Sequence, residues 1–251
     1  DVCSSDLIGV ERPLEPAETP DGRPGVAVLA FAFSTEALGT AVANRTSQCL
    51  LTCPTTAVFD GLPGADERVP LGGHVRYFGD GFEKSKVLDG RRFWRIPVMD
   101  GEFLIQETAG VSKGVAGGNI LLQATTQTSG LAAARRGAEA LANMPNVITP
   151  FPGGVARSGS KVGSRYKGMV ASTSDAYCPT LRGRVESKLH QDANCAYEIV
   201  IDGESEAAVS AAMATGLRAA AGSGVVTITA GNYGGKLGKY HFHLRKLLEN
   251  Q

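Results

Sequence analysis

Apolar and polar positions fall into two similar blocks in the second half of the chain. Ile120–Thr126 (ILLQATT) has the length and composition of a strand, and Ser129 stands as cap to an alanine-rich helix over Gly130–Asn143. Val147–Thr149 then opens another strand. The order repeats with a strand at Ala196–Ile201 (AYEIVI), a turn at Asp202-Gly203, a helix over Glu204–Ala221 and a strand at Val225–Ala230. Each block is followed by a glycine pair, Pro152-Gly153-Gly154 in the first and Tyr233-Gly234-Gly235 in the second. Two β-α-β units with matching ends are what a ferredoxin-like, split β-α-β sandwich requires. The helix over Glu204–Ala221 sets Ala208, Ala211, Ala212, Thr215 and Ala219 at helical spacing. Such a stripe of small side chains suits close packing in a core or against another subunit.

The first half is less regular. A strand is expected at Val26–Ser34, a short helix at Glu36–Ala43 and a second strand at Gln48–Thr52. Gly73–Phe78 and Arg92–Val98 read as the arms of an antiparallel pair. Between them lies a turn region, Gly79–Gly90, carrying Asp80-Gly81 and Asp89-Gly90. The lobe boundary is placed at Met99-Asp100-Gly101, giving an N-terminal lobe over 1–99 and a C-terminal lobe over 100–251. Thr180–Asn194 is polar without periodicity and reads as an exposed loop. The class expected is therefore α+β, with two ferredoxin-like lobes.

Composition narrows the function. Lysine plus arginine equals aspartate plus glutamate at 25 each, so no net field points to nucleic acid. No apolar run approaches the roughly 18 residues of a membrane span. The five cysteines are odd in number and scattered, which fits a reducing compartment and a cytoplasmic enzyme. Glycine is the outlier, at 32 of 251 residues against a usual share of roughly 7%. Its clusters mark places where the backbone turns with positive φ or approaches something closely. Asp1–Leu7 fits no predicted element and reads as translated adapter sequence that packs against nothing.

Several catalytic constellations are missing. No Gly-X-Ser-X-Gly elbow occurs, and Cys49-X-X-X-Cys53 has no second pair with which to bind zinc. His241 and His243 lie two apart without nearby carboxylates, and read as surface or core histidines. Gly231–Gly238 (GNYGGKLG) lacks the serine or threonine that a phosphate loop carries after its lysine. Glu198 stands out by position. Strand alternation sets Tyr197, Ile199 and Ile201 on one face, and Ala196, Glu198, Val200 and Asp202 on the other. A glutamate between alanine and valine is poorly solvated, which raises a carboxyl pKa and suits a general acid or base. A salt-bridged glutamate at a sheet edge fits the same spacing.

From Glu18 onward, successive segments carry a resemblance. They are Glu18–Val26 (ETPDGRPGV), Phe78–Gly81 (FGDG), Leu88–Arg91 (LDGR) and Gly114–Asn119 (GVAGGN), followed by Pro150–Gly154 (PFPGG) and Ser160–Ser164 (SKVGS). Ala171–Thr180 (ASTSDAYCPT), Tyr197–Val200 (YEIV) and Ala230–Gly238 (AGNYGGKLG) complete the set. In this order they resemble the formylmethanofuran–tetrahydromethanopterin formyltransferases. The resemblance implies two ferredoxin-like lobes, the N-terminal one lacking a first strand-helix unit here and leaving apolar surface exposed near Val26–Phe33. It implies formyl transfer between methanofuran and N5 of tetrahydromethanopterin as co-substrates, with no metal and no prosthetic group. The family's catalytic glutamate maps to Glu198. Gly117, Gly118, Asn119, Ser160, Lys161, Ser172, Thr173, Asp175, Tyr177 and Lys236 are then expected around the substrate cleft, with glycine N–H groups facing the oxyanion. Lys161 and Lys236 would anchor the anionic tails of the substrates. Balanced charge favours a bacterial methylotroph member working in formaldehyde oxidation. The partners implied are further copies of the chain or the subunits of a formyltransferase–hydrolase complex. A non-catalytic subunit that only holds the carrier is the competing reading.

Overall fold

A computed structural model of the chain describes residues 7–231 and 239–249. The protein is α+β. Leu14–Lys113 form one compact unit; Gly114 onward, together with Ile8–Pro13, forms the other.

The described residues open with strand β1 (Leu7–Leu14), so Leu7 belongs to a regular element. The rest of the segment expected to pack against nothing, residues 1–6, lies outside the described residues. In β1, Gly9 approaches Ile148 so closely that a Cβ would lie 3.2 Å from its Cδ1, and Glu11 accepts a hydrogen bond from the Asn146 N–H.

The N-terminal unit contains β2 (Gly25–Phe31) and α1 (Thr35–Arg45), and Ser34 caps the helix by accepting from the Ala37 N–H at 3.1 Å. Val26, Val28 and Phe33 are exposed, at 55%, 47% and 76%. Gln48–Thr52 is not the expected strand. The chain continues from α1 into a π-turn, Thr46–Leu50. Hydroxyls hold it helical, because Ser47 donates to the Ala43 carbonyl and Thr52 to that of Gln48.

β3 (Ala57–Val58) and β4 (Glu67–Pro70) follow. Gly73–Phe78 also differs from its expectation: it lies in α2 (Gly72–Val75) and a 3-10 turn, Arg76–Gly79. Leu71 and Val75 are drawn into a core with Ile96, Phe103 and Ile105, and Gly72 packs so tightly that a Cβ would stand 2.6 Å from the Gln106 carbonyl oxygen. Tertiary packing overrides strand propensity here.

The true partner of β6 (Arg91–Val98) is β5 (Lys84–Leu88), within the stretch read as a turn. Asp89 (φ 48°) and Gly90 (φ 75°) make the two-residue hairpin between them. β7 (Gly101–Gln106) pairs antiparallel with β6 and parallel with β3, giving the sheet order β3-β7-β6-β5. That order is not a split β-α-β arrangement. β8 (Thr108–Val111) pairs with β4. Met99–Gly101 is thus the turn of a hairpin inside one sheet, and the compact units divide after Lys113.

The C-terminal unit follows its expected order. β9 (Val115–Ala124), α3 (Gln127–Glu139) and β10 (Val147–Ile148) form the first block. A short hairpin of β11 (Lys161–Val162) and β12 (Ala171–Ser172) intervenes. β13 (Cys195–Gly203), α4 (Glu206–Ala220) and β14 (Val225–Thr229) form the second block, and α5 (Leu244–Glu249) ends the described chain. The sheet order is β10-β13-β9-β14, with every neighbour antiparallel.

Thr126, rather than Ser129, caps α3; the two form a reciprocal capping box at 3.1 and 3.3 Å. Asp202-Gly203 is not a turn, since both residues extend β13 by pairing with β10. In the loop over 180–194, Arg182 donates to the carbonyls of His190, Gln191 and Ala193, and Leu189 and Ala193 are buried. His241 and His243 are exposed just before α5.

Ile120, Leu122, Ile199 and Ile201 face α3 and α4, meeting Ala133, Ala134, Ala212, Met213 and Leu217 in one core. Of the small-residue stripe, Ala212 is wholly buried while Ala208, Ala211, Thr215 and Ala219 are half-buried. The helices approach each other at glycine: a Cβ on Gly137 would lie 2.7 Å from Ile199 Cδ1 and 3.3 Å from the Gly216 carbonyl oxygen. Gly137→Val is expected to lower stability by about 1–3 kcal/mol through overpacking. Urea denaturation followed by circular dichroism reads this directly, and an unchanged midpoint would contradict the packing account.

Candidate active site

β13 carries its side chains alternately to the two faces of the sheet. Ile199 and Ile201 enter the helix-side core with Tyr197 packed against it, while Glu198 and Val200 line a cleft on the opposite face. The chain after β10 closes that cleft. Ala156 runs along the edge of β13 and exchanges two backbone hydrogen bonds with Glu198, at 2.8 and 2.9 Å. The cleft of about 300 Å³ is lined by Gly117 and Asn119 from β9, Ser158–Ser160 from the turn beyond Ala156, and Ala171–Thr173 around β12.

Glu198 is 5% exposed, and its Oε1 accepts a 2.8 Å hydrogen bond from Asn119 Nδ2. Asn119 sits opposite Val200 in the β9–β13 register, which brings its amide diagonally beside Glu198. Its Oδ1 accepts from the Gly231 N–H at 2.8 Å, so both ends of the amide are engaged. A planar amide held at both ends fixes the direction of the carboxylate it contacts. The geometry shows a largely buried carboxylate on the cleft face, between β9 and the chain at Ala156.

The structure gathers Gly117, Asn119, Ser160, Ser172, Thr173 and Glu198 around one cleft. Gly118 faces the other way. A Cβ there would lie 2.4 Å from Val209 Cγ1, so its glycine serves helix packing. Lys161 and Asp175 form an ion pair beside the cleft, and that hydrogen bond from Lys161 holds the Asp175 carboxyl below its usual range. Ser172 donates to the Gly163 carbonyl at 2.7 Å, closing the β11–β12 hairpin. Tyr177 lies in a 3-10 turn, Asp175–Tyr177, and does not line the cleft. Lys236 lies outside the described residues.

Residues 2–98 match the family model for formylmethanofuran-tetrahydromethanopterin formyltransferase, and residues 101–247 match the model described as "FTR, proximal lobe". The formylmethanofuran–tetrahydromethanopterin formyltransferase of Methylococcus capsulatus is 54% identical over 244 residues, covering 96% of this chain and 82% of the relative. Two solved structures superpose with a TM-score of 0.88. One is the formyltransferase of Methanosarcina barkeri, at 43% identity over 97% of this chain and 83% of that one. The other is the formyltransferase/hydrolase complex of Methylorubrum extorquens with methylofuran, at 48% identity over 98% and 83%. The chain belongs to this formyltransferase family.

The two family models meet between residues 98 and 101, whereas β7 and β8 just beyond that point pack into the N-terminal unit. Within the family's proximal-lobe region, sequence reasoning missed Asp202. Read as a turn residue, it is fully buried at the end of β13. The register slips between Ile201 and Asp202, leaving Gly117 as the extra residue of a β-bulge at φ 108°. Its N–H donates to Asp202 Oδ1 at 2.9 Å and is engaged within the strand pair. The other oxygen, Oδ2, has no hydrogen-bond partner among the described residues. Two adjacent glycines followed by a polar residue were the available signal for a bulge.

Burial pushes the Asp202 carboxyl up from 3.8 to about 6, opposed by the Gly117 hydrogen bond. The folded state then holds this proton more tightly than the unfolded chain, so the group's contribution to stability falls as pH rises from about 4 to about 6. Asp202→Asn keeps an acceptor for Gly117 and removes the titration. Its stability relative to wild type should improve by about 2–3 kcal/mol between pH 4 and pH 7. Parallel denaturation curves at both pH values test this, and a constant difference would refute it.

Proposed function

We propose that the chain transfers a formyl group between the amine of a methanofuran-type carrier and N5 of tetrahydromethanopterin, with Glu198 as proton relay. The observation that carries this reading is a buried carboxylate, aimed by Asn119, at the floor of a cleft in a chain of this family. The attacking amine adds to the formyl carbon and forms a tetrahedral oxyanion. Glu198 takes the proton that this nitrogen loses and delivers it to the leaving nitrogen as the second C–N bond breaks. Either direction of transfer uses the same two steps. Among the described residues, no group of three or more His, Cys, Asp or Glu is placed to hold a metal.

Gly117, Asn119, Ser160, Ser172 and Thr173 are the proposed substrate-contacting residues, supported by their place around the cleft. Lys161 is proposed to exchange its Asp175 partner for an anionic group of a substrate tail, and Lys236 is proposed as a second anchor from its sequence position. The unit from Gly114 onward is read as a ferredoxin-like sandwich on its strand order β10-β13-β9-β14. The Methylorubrum relative is a subunit of a formyltransferase/hydrolase complex. This chain is accordingly proposed to work as an oligomer or complex subunit, and sedimentation as a stable, active monomer would contradict that.

Glu198→Gln keeps shape and hydrogen bonding to Asn119 but cannot exchange protons. Its kcat is expected to fall by roughly 10²–10⁴ with KM for both co-substrates nearly unchanged. Steady-state formyl-transfer kinetics provide the check. Turnover near the wild-type rate would leave Glu198 a structural carboxylate and move the proton relay to the groups around Asn119 and Ser172.

A further inference from the structure

One glycine at the cleft, Gly159, lacks a side chain at a point where its backbone conformation is only part of the reason. Gly159 lies in the turn beyond Ala156, at φ 56°. That is the left-handed α region, which alanine enters at a cost of about 1 kcal/mol. The space around it is the more telling constraint. A Cβ built on Gly159 would stand 3.9 Å from Glu198 Oε2, 3.1 Å from Ser174 Cβ and 4.0 Å from Ser174 Oγ.

The distance to Oε2 has a chemical meaning. A nitrogen exchanging a proton with a carboxylate oxygen sits about 2.6–3.2 Å from it. Atoms bonded to that nitrogen then lie roughly 3.5–4 Å from the same oxygen, given a C–N bond of about 1.4 Å. The acyl carbon is one of those atoms. A Cβ on residue 159 would lie at that same distance from Oε2, at 3.9 Å.

We propose that Gly159 is a positioning residue for formyl transfer: its missing side chain leaves the room beside Glu198 that the transferring one-carbon group occupies in the tetrahedral intermediate. This rests on the formyl-transfer reading above. Gly159 makes no bond in the reaction, and acts by leaving the acyl carbon free to approach within reach of both the carboxylate and the attacking amine. A methyl on residue 159 would also stand 3.1 Å from Ser174 Cβ, so backbone movement that relieves one contact is limited by the other.

The test compares Gly159→Ala with Gly183→Ala in the full chain. Gly183 has a similarly left-handed backbone, φ 76°, but a Cβ there meets nothing within 4 Å, so it carries the strain without the crowding. Rates are measured with N-formylmethanofuran and tetrahydromethanopterin, and folding is followed by thermal melts. Gly183→Ala should keep kcat within about twofold of wild type. Gly159→Ala should lose roughly 10–100-fold in kcat with both KM values within about twofold, as expected when a reacting group is displaced by a fraction of an ångström to an ångström. A double variant, Gly159→Ala with Ser174→Gly, removes the 3.1 Å contact and keeps the fold accessible. It should remain slow, because the methyl still stands beside Glu198. Recovery of kcat in the double variant would reduce Gly159 to a packing glycine and overturn the inference, as would a Gly159→Ala rate equal to that of Gly183→Ala. An inactive wild-type chain would instead overturn the formyl-transfer reading itself.

Discussion

The antiparallel register of β13 on β9 is the constraint on which the rest of the C-terminal unit depends. With Glu198 opposite Leu121 and Val200 opposite Asn119, one face of the pair enters the helix core and the other forms the cleft floor. A slip of one residue would drive Glu198 into the helices and turn Ile199 toward the cleft. The cost of burying a carboxylate among Ala133, Ala134 and Met213 makes that slip unavailable. The hydrophobic effect on one face thus places the chemistry on the other.

The glycines divide the labour of that arrangement. Gly137 lets α3 and α4 approach over Ile199, and Gly118 lets β9 lie against Val209. Gly117 takes the bulge that turns its N–H into the strand pair toward Asp202. Gly159 stands bare beside Glu198. The same residue type serves close packing, backbone conformation and open space at the site. An excess of glycine in the sequence has no single cause.

Two carboxylates on β13 illustrate how position decides role. Asp202 is sealed at the strand end, with one oxygen on a backbone N–H and the other without a hydrogen-bond partner among the described residues, and burial raises its pKa. Glu198, four residues earlier, opens on the cleft and is held by a side-chain amide. Asp202 can hold the bulge without reaching a substrate, while Glu198 can reach one without leaving its strand. Asn119 links the two regions, since it follows the Gly117 bulge on β9 and touches Glu198 directly.

The sequence by itself determined the elements whose periodicity and local chemistry agree. The two β-α-β blocks, the Asp89-Gly90 turn and the solvent-poor face bearing Glu198 were all legible, because each is set by neighbours within a few residues. Tertiary structure decided the rest. Lys84–Leu88 becomes a strand because Arg91–Val98 folds back on it, and Gly73–Phe78 becomes helical because Leu71 and Val75 are needed in a core with Ile96 and Phe103. Asp202 is buried because Ile148 of β10 pairs with it from far away in sequence, and Gly118 is a packing residue because α4 lies over it. The meeting of Asn119 with Glu198, and of Gly159 with both Glu198 and Ser174, joins segments that no local pattern connects. Side-chain alternation tells which face a residue takes, but only the closing of the chain over that face tells what it meets there.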